Sequence, residues 1–218
     1  FNEEVLLALW THVGSAAAAA AAAATTADAT TAPASGHHRS PLAASLLALC
    51  LTTKCQPAFL TATRIRVVAQ HSLSSADFSA VKAGCQVLQN APEVNFLPAS
   101  SAGERVLRAD LSEALMDAVP ALCAVIMWGS AANNPLRENE TDTRQWFSAC
   151  EEAMLTLFRT HPCPDHVLAS LLPALYMHLS GRADGADAPN DTADGLPTKV
   201  QCTNTRLART LFAMGQCT

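Results

Sequence analysis

The chain has 218 residues, of which 50% are hydrophobic and 15% charged, and its formal net charge is -5. This acidic balance argues against a strongly basic nucleic-acid-binding domain, although a local basic face is compatible with it. Alanine and leucine are abundant, and β-branched residues do not form alternating runs. We therefore expect an all-α fold with a sizeable core, either as one domain or as part of a longer repeat array.

The eight cysteines are irregularly spaced, and several lie on the apolar faces of expected helices. This usage indicates buried free thiols in a reducing compartment rather than a disulfide framework. The small-residue run at 16–24 is too short and too weakly apolar to span a bilayer, so no membrane role is predicted. Because the chain starts at Phe1 and ends within an apolar helical pattern, we expect a fragment of a longer protein.

The N-terminal segment has the spacing of a short amphipathic helix, which we assign to residues 1–13 as part of an incomplete repeat. Its apolar positions are Val5, Leu6, Leu9 and Val13. Residues 14–40 are alanine-rich and of low complexity. Alanine favours helix, but the run has no large side chains with which to dock, so we predict an insertion loop with partial helix as the alternative.

Helix signals resume at Ser40-Pro41, a cap followed by proline in the first turn. Pro57 is expected to open a second helix, and a serine cap to open a third before "DFSAVKAGCQVLQNA". A fourth helix is predicted from Gly103 to Trp128, with Pro120 kinking or dividing it. Its core positions would be Leu107, Leu111, Leu115, Val119, Leu122 and Ile126.

The stretch 144–181 contains two apolar stripes separated by the turn "HPCPD". The first stripe consists of Trp146, Cys150, Met154, Leu157 and Phe158, and the second helix would begin near Pro164. We predict that these two helices form a hairpin. Residues 181–203 should be an acidic mobile loop, and 204–218 the start of a further repeat through Leu207, Leu211 and Met214.

Helix, short turn and helix, repeated with unequal polar insertions, is the organisation of an α-solenoid. We therefore assign residues 41–180 to HEAT-like helical repeats. The predicted fold is an all-α solenoid of HEAT-type helical hairpins with low-complexity insertion loops. No two segments share enough identity to establish a repeat period.

Two groups of residues have side chains of the type found in metal or catalytic sites. His161, Cys163 and His166 are of ligand type for zinc, but their spacing matches no paired motif, and a capped interhelical turn is favoured. Glu151 and Glu152 point about 100° apart on a helix, so they do not form a converging catalytic pair. Phosphate-binding glycine loops and nucleophile elbows are absent from the sequence. We predict no enzyme activity, no cofactor and no metal.

Basic residues provide one candidate nucleic-acid contact. A phosphate-contacting ridge would form if the helices that carry them stacked side by side. Its members would be Arg64, Arg66, Lys82, Arg105 and Arg108. Scattered, solvated charges are the alternative, and we prefer it.

The segment "QWFSACEEAMLTLFRTHPCPDHVLASLLPAL" resembles the C-terminal HEAT-repeat region of the condensin complex subunit 1 family, the large regulatory subunits of condensin I. Three further segments, "SLLALCLTTKCQPAFLTATRIRVVAQHSL", "DFSAVKAGCQVLQNA" and "RLARTLFAMGQ", extend the resemblance over most of 42–216. The alanine-rich stretch at 14–40 departs from the family pattern. The paralogous condensin II subunits and other large HEAT proteins remain alternatives.

The resemblance implies a non-catalytic scaffold in mitotic chromosome condensation. Its partners would be a kleisin subunit and the SMC ATPases, with DNA contacted through the complex and no membrane or small-molecule substrate. The implied location is the nucleus and chromosomes, and the cytoplasm for part of the cell cycle. A HEAT-repeat adaptor of a trafficking or phosphatase assembly is the alternative function.

Overall fold

The computed structural model describes residues 3–26, 40–75, 77–92, 102–128 and 140–179, together with Phe212 and Gly215. Every regular element in these ranges is a helix, which confirms the all-α prediction. The helices are α1 Glu3–Thr26, α2 Pro41–Thr53, α3 Ala62–Leu73, α4 Phe78–Gln89, α5 Ala102–Trp128, α6 Glu140–Thr160 and α7 Pro164–Leu179, with a short 3-10 helix, Pro57–Phe59, before α3. Among these helices none is long and apolar enough to cross a membrane.

Helix α1 runs well past the predicted boundary at residue 13 and includes the alanine run as far as Thr26. Alanine has the highest intrinsic helix propensity, and Ala17 also packs into the core beside Val13 with 3% of its surface exposed. The expectation that the run cannot dock was therefore wrong for this position. Val5, predicted as a core residue, is exposed. Residues 27–39 of the predicted insertion lie outside the described residues.

Local capping chemistry sets the start of α2, as predicted. The Ser40 hydroxyl oxygen accepts a hydrogen bond from the Ala43 N–H at 3.2 Å, and Pro41 occupies the first turn. The predicted serine cap of α4 is wrong, because Asp77 caps this helix by accepting from the Ser79 N–H at 2.9 Å. The Ser40 hydroxyl also donates to the Asp77 carboxylate, so the starts of α2 and α4 are held together.

The second predicted helix does not begin at Pro57. That proline opens the 3-10 turn, after which Leu60 adopts a non-helical conformation and Thr61 becomes the cap of α3. Helix α5, in contrast, continues across Pro120 without being divided. Leu107 was predicted in its core face but is 54% exposed, whereas Leu111 and the later core positions of α5 face inward.

The helices alternate between two rows. Helices α2, α4 and α6 pack side by side in one row, and α3 packs beside α5 in the other. Helix α3 also packs against α4, α5 against α6, and α1 against α2. Helix α4 is therefore surrounded by α2, α3 and α6, and its apolar face is fully buried.

The apolar stripe of α6 faces the core as predicted, except at Phe158, which is 50% exposed. Trp146 anchors this stripe. Its side chain is completely buried, and its indole N–H donates to the Val125 carbonyl oxygen of α5 at 3.0 Å. The Phe147 ring lies 4.4 Å from the ring of Phe212, measured between centroids.

The predicted hairpin of α6 and α7 is not formed in the described part of the chain. Helix α7 makes a light contact with α5 instead of packing along α6. The residues that precede Pro162 and Pro164 are biased away from helical backbone, so the turn redirects the chain. The predicted loop at 181–203 and the further repeat at 204–218 lie outside the described residues, apart from Phe212 and Gly215, which are helical.

Candidate interaction surfaces

Arg64 is the first residue of the predicted basic ridge, and it packs against aromatic rings. Its guanidinium carbon lies 3.8 Å from the Phe59 ring centroid and 5.8 Å from that of Trp10. The guanidinium also donates to the Phe59 carbonyl oxygen at 2.8 Å. These contacts connect α1, the 3-10 turn and α3, since a cation over an aromatic face is attracted to it.

Arg66 lies at a different interface from Arg64. It donates to the Asp117 carboxylate at 2.8 Å and lies 3.6 Å from a carboxylate oxygen of Glu113, both on α5. The hydrogen bond to Asp117 raises the pKa of Arg66 above its usual value. Residues two apart on a helix point about 200° apart, which explains why Arg64 and Arg66 do not converge.

Lys82 lies at a third interface, and the last two predicted cations are on α5. The Lys82 ammonium donates to the Ser148 hydroxyl at 2.8 Å, across the contact between α4 and α6. Arg108 is half-buried on α5, and Arg105 lies on the same helix with its side chain outside the described part. Arg64, Arg66 and Lys82 therefore lie at three different interfaces rather than along one ridge.

A row of polar side chains, which we call the amide seam, joins α4 to α6. It consists of Gln86 and Gln89 on α4 and Glu152 and Thr156 on α6. Gln86 donates to one carboxylate oxygen of Glu152 at 2.8 Å, and Gln89 donates to the other at 2.9 Å. Hydrogen bonds to a charged acceptor are stronger than neutral ones, so this half-buried carboxylate connects the two helices.

Further polar contacts adjoin the amide seam on its α6 and α2 sides. The Thr156 hydroxyl donates to the Glu152 carbonyl oxygen at 2.7 Å and lies 3.2 Å from the Cys85 carbonyl oxygen. On the α2 side, the Asn90 amide donates to the Cys50 carbonyl oxygen at 2.8 Å and to the Thr53 hydroxyl at 3.2 Å. Polar contacts of this kind therefore hold α2, α4 and α6 in fixed order.

The cysteines differ in their surroundings. All six in the described ranges are free thiols, as predicted, but Cys55 and Cys163 are exposed rather than buried. Cys85 is buried beneath the amide seam, and burial raises the pKa of its thiol to about 12. Burial also raises the pKa values of Cys50 and Cys123. A thiol that stays protonated is a poor nucleophile, so Cys85 is a packing residue.

The contact between α3 and α5 contains an open groove of about 470 Å³. Small residues create it. Its apolar lining comes from Ala69 and Leu73 on α3 and from Ala114, Ala118, Ala121 and Ala124 on α5. Arg66 and Asp117 lie along the same groove. An apolar groove with a few polar groups at its edge is the usual form of a binding site.

The turn at 161–166 was the candidate metal site. Here the His161 Nδ1 accepts a hydrogen bond from the Cys163 N–H at 3.0 Å, while Cys163 and His166 are exposed. Across the described ranges, no group of three or more ligand-type side chains is positioned to hold a metal ion. Glu151 is exposed and Glu152 belongs to the amide seam, so the adjacent glutamates point apart.

No protein-family model, curated protein or solved structure matches this chain. Inferences about function therefore come from the geometry of the amide seam and of the groove between α3 and α5.

The amide seam and the groove between α3 and α5 were not predicted from the sequence. The signals were present as polar residues four apart at 148, 152 and 156 and as alanines at 114, 118 and 121.

Proposed function

We propose that this chain is part of a non-catalytic α-solenoid scaffold of the HEAT type. The alternation of helices between two rows carries the proposal, because α2, α4 and α6 stack in one row and α3 and α5 in the other. In a solenoid, each helix pair packs on its neighbours and extends a continuous core. Helix α7 makes a light contact with α5 in the second row.

The more specific proposal is that the scaffold belongs to the regulatory subunit of condensin. Its support is the resemblance of the sequence segments within 42–216 to that family. The amide seam agrees with a scaffold role, because the polar side chains of α4 and α6 hold neighbouring helices in register. Kleisin and SMC chains would then bind surfaces that extend over several helices.

Affinity purification of the tagged protein from dividing cells tests this proposal. Mass spectrometry should recover two SMC ATPases and a kleisin at near-stoichiometric amounts. Reproducible recovery of a trafficking or phosphatase assembly would contradict the condensin assignment and favour the alternative adaptor. The matched control is the same purification from cells that express the tag alone.

A further inference from the structure

The groove between α3 and α5 has the length of a short helix. Its lining extends from Arg66 to Ser74 on α3 and from Ala114 to Ala124 on α5. At 1.5 Å per residue these segments are about 12 and 15 Å long, which corresponds to between two and three helical turns. Ala114 and Ala118 form its buried base, whereas Ala121 is half-buried and Ala124 is exposed.

Three carboxylates of α5 lie in the groove lining or just before it in the chain. Asp110, Glu113 and Asp117 are spaced three and four residues apart on α5, so they share one face of that helix. Arg66 is the cation that acts on all three, through its contacts with Glu113 and Asp117 and its electrostatic interaction with Asp110. The side chains of Glu113 and Asp117 remain 69% and 53% exposed. Asp117 thus lines the apolar groove, and Glu113 and Asp110 extend the acidic row past Arg66.

From these two features together, we infer that the groove between α3 and α5 binds a helix of a partner protein that carries a narrow apolar stripe with lysine or arginine along one flank. The inference deepens the proposed scaffold function, since this helix would belong to one of the chains that the scaffold holds.

An extended segment fits the groove less well. The walls are helices, whose backbone groups are already hydrogen-bonded, so an added strand would leave its own N–H and C=O groups unpaired. A helix satisfies its backbone internally and needs only side-chain contacts. A second copy of this chain is also a poor match, because each copy carries a net charge of -5.

Fluorescence polarisation with the 218-residue chain tests the inference. The probe is a synthetic, helix-stabilised peptide with a leucine stripe flanked by lysines. Two matched peptides replace either the lysines with glutamates or the leucines with serines. We expect the lysine–leucine peptide to bind at least about tenfold more tightly than either control peptide, because both charge and apolar contact are required.

Protein variants locate the site. The double variant Glu113→Lys/Asp117→Lys should reverse the preference in favour of the glutamate peptide. If the double variant does not fold, Glu113→Lys alone is the test and should weaken binding of the lysine–leucine peptide. Ala121→Phe, which fills the groove, should abolish binding of both peptides. Arg66→Met should strengthen lysine-peptide binding by about twofold or more, because it removes a competing cation. Circular dichroism checks the fold of each variant.

Glu151→Lys on α6 is the matched control, since it changes the net charge without altering the groove. Equal weakening by Glu151→Lys and Glu113→Lys would overturn the inference, because binding would then reflect overall charge. Unchanged binding by Ala121→Phe, no binding of any peptide, or self-association that Ala121→Phe removes would also overturn it. Failure to recover SMC and kleisin chains would contradict the condensin assignment without changing these peptide results.

Discussion

The α4–α6 contact in one row is built differently from the α3–α5 contact in the other row. Between α4 and α6, Gln86 and Gln89 bind Glu152 over a buried layer that includes Cys85. Between α3 and α5, alanines leave a groove of about 470 Å³, and the main polar link is the exposed pair of Arg66 and Asp117. The first contact is sealed and the second is open.

From this difference we expect the α4–α6 contact to contribute mainly to stability and the groove between α3 and α5 to contribute mainly to binding. A half-buried carboxylate with two amide donors loses those hydrogen bonds whenever its helix moves, so the α4–α6 contact resists displacement. An exposed ion pair contributes little to stability, and the small side chains that line the groove contribute little dispersion attraction. Substitutions in the sealed contact should therefore change folding, whereas substitutions in the open contact should change binding.

The largest effect is expected from Glu152→Ala. Both glutamine amides would lose a charged acceptor, and we expect the free energy of unfolding to fall by about 2 kcal/mol after allowance for partial exposure. Urea denaturation followed by circular dichroism measures this change. Glu151→Ala, the exposed neighbour, is the control and should change stability by less than about 0.5 kcal/mol. Equal effects of the two substitutions would remove the distinction between the sealed contact and the surface.

A smaller loss is expected from Gly84→Ala. A Cβ at this position would lie 2.3 Å from the Ser72 Cβ and 1.9 Å from its Oγ, so α3 and α4 would have to separate. Overpacking should outweigh the gain in helix propensity and destabilise the protein by about 1–2 kcal/mol net. Thermal unfolding should show a lower Tm.

Two variants provide controls for Gly84→Ala. Gly14 has nothing within 4 Å of an added Cβ, so Gly14→Ala should stabilise α1 by about 0.5–1 kcal/mol. Combining Gly84→Ala with Ser72→Gly removes the opposing Cβ and should restore part of the lost stability. A destabilised protein in which Ser72→Gly brings no recovery would contradict the steric explanation.

Cys85 predicts a dependence of stability on alkaline pH. Its thiol has an ordinary pKa of 9.0, which burial raises to about 12 in the folded protein. Above pH 9 the unfolded chain therefore releases a proton that the folded chain retains, so stability is present below pH 9 and is lost as the pH rises towards 12. The slope contributed by this thiol should approach about 1.4 kcal/mol per pH unit at most.

Urea unfolding at several pH values between 8 and 10.5 measures this slope. Cys85→Ala loses packing at neutral pH, but its stability should fall less steeply with pH than that of the parent chain. Identical slopes would show that other groups, such as the half-buried Cys50 and Cys123, cause the alkaline loss.

The smallest effect on stability is expected from Ala121→Leu. This substitution adds three carbons, compared with one in Gly84→Ala, but places them in the groove between α3 and α5. The free energy of unfolding should change by no more than about 0.5 kcal/mol, because there is space for the larger side chain. Chemical denaturation measures it. A loss as large as that from Gly84→Ala would mean that the groove closes in solution.

Features that depend on neighbouring residues in the sequence were predictable. Ser40 and Pro41 start α2 because a cap and a first-turn proline act locally. The core face of α4 was also predictable, since Phe78, Val81, Cys85 and Leu88 recur at intervals of three or four residues and all four are buried.

Features that depend on which helices dock were not predictable. Periodicity indicates that a stripe exists, but its width depends on the neighbour, so Val5 and Phe158 were assigned to the core although both are exposed. The same limit explains the error on the α6–α7 hairpin. Arg64 and Arg66 are nearly adjacent in sequence, and only their tertiary partners separate an aromatic contact from an acidic one.

The hydrogen bond from Trp146 to Val125 has a consequence for cooperativity. The last four carbonyl groups of a helix have no partner within it, and Val125 is among them because α5 ends at Trp128. The indole of α6 thus completes the C-terminal turn of α5. Opening of α6 would expose and fray the end of α5, so these two segments should exchange their amide hydrogens as one cooperative unit.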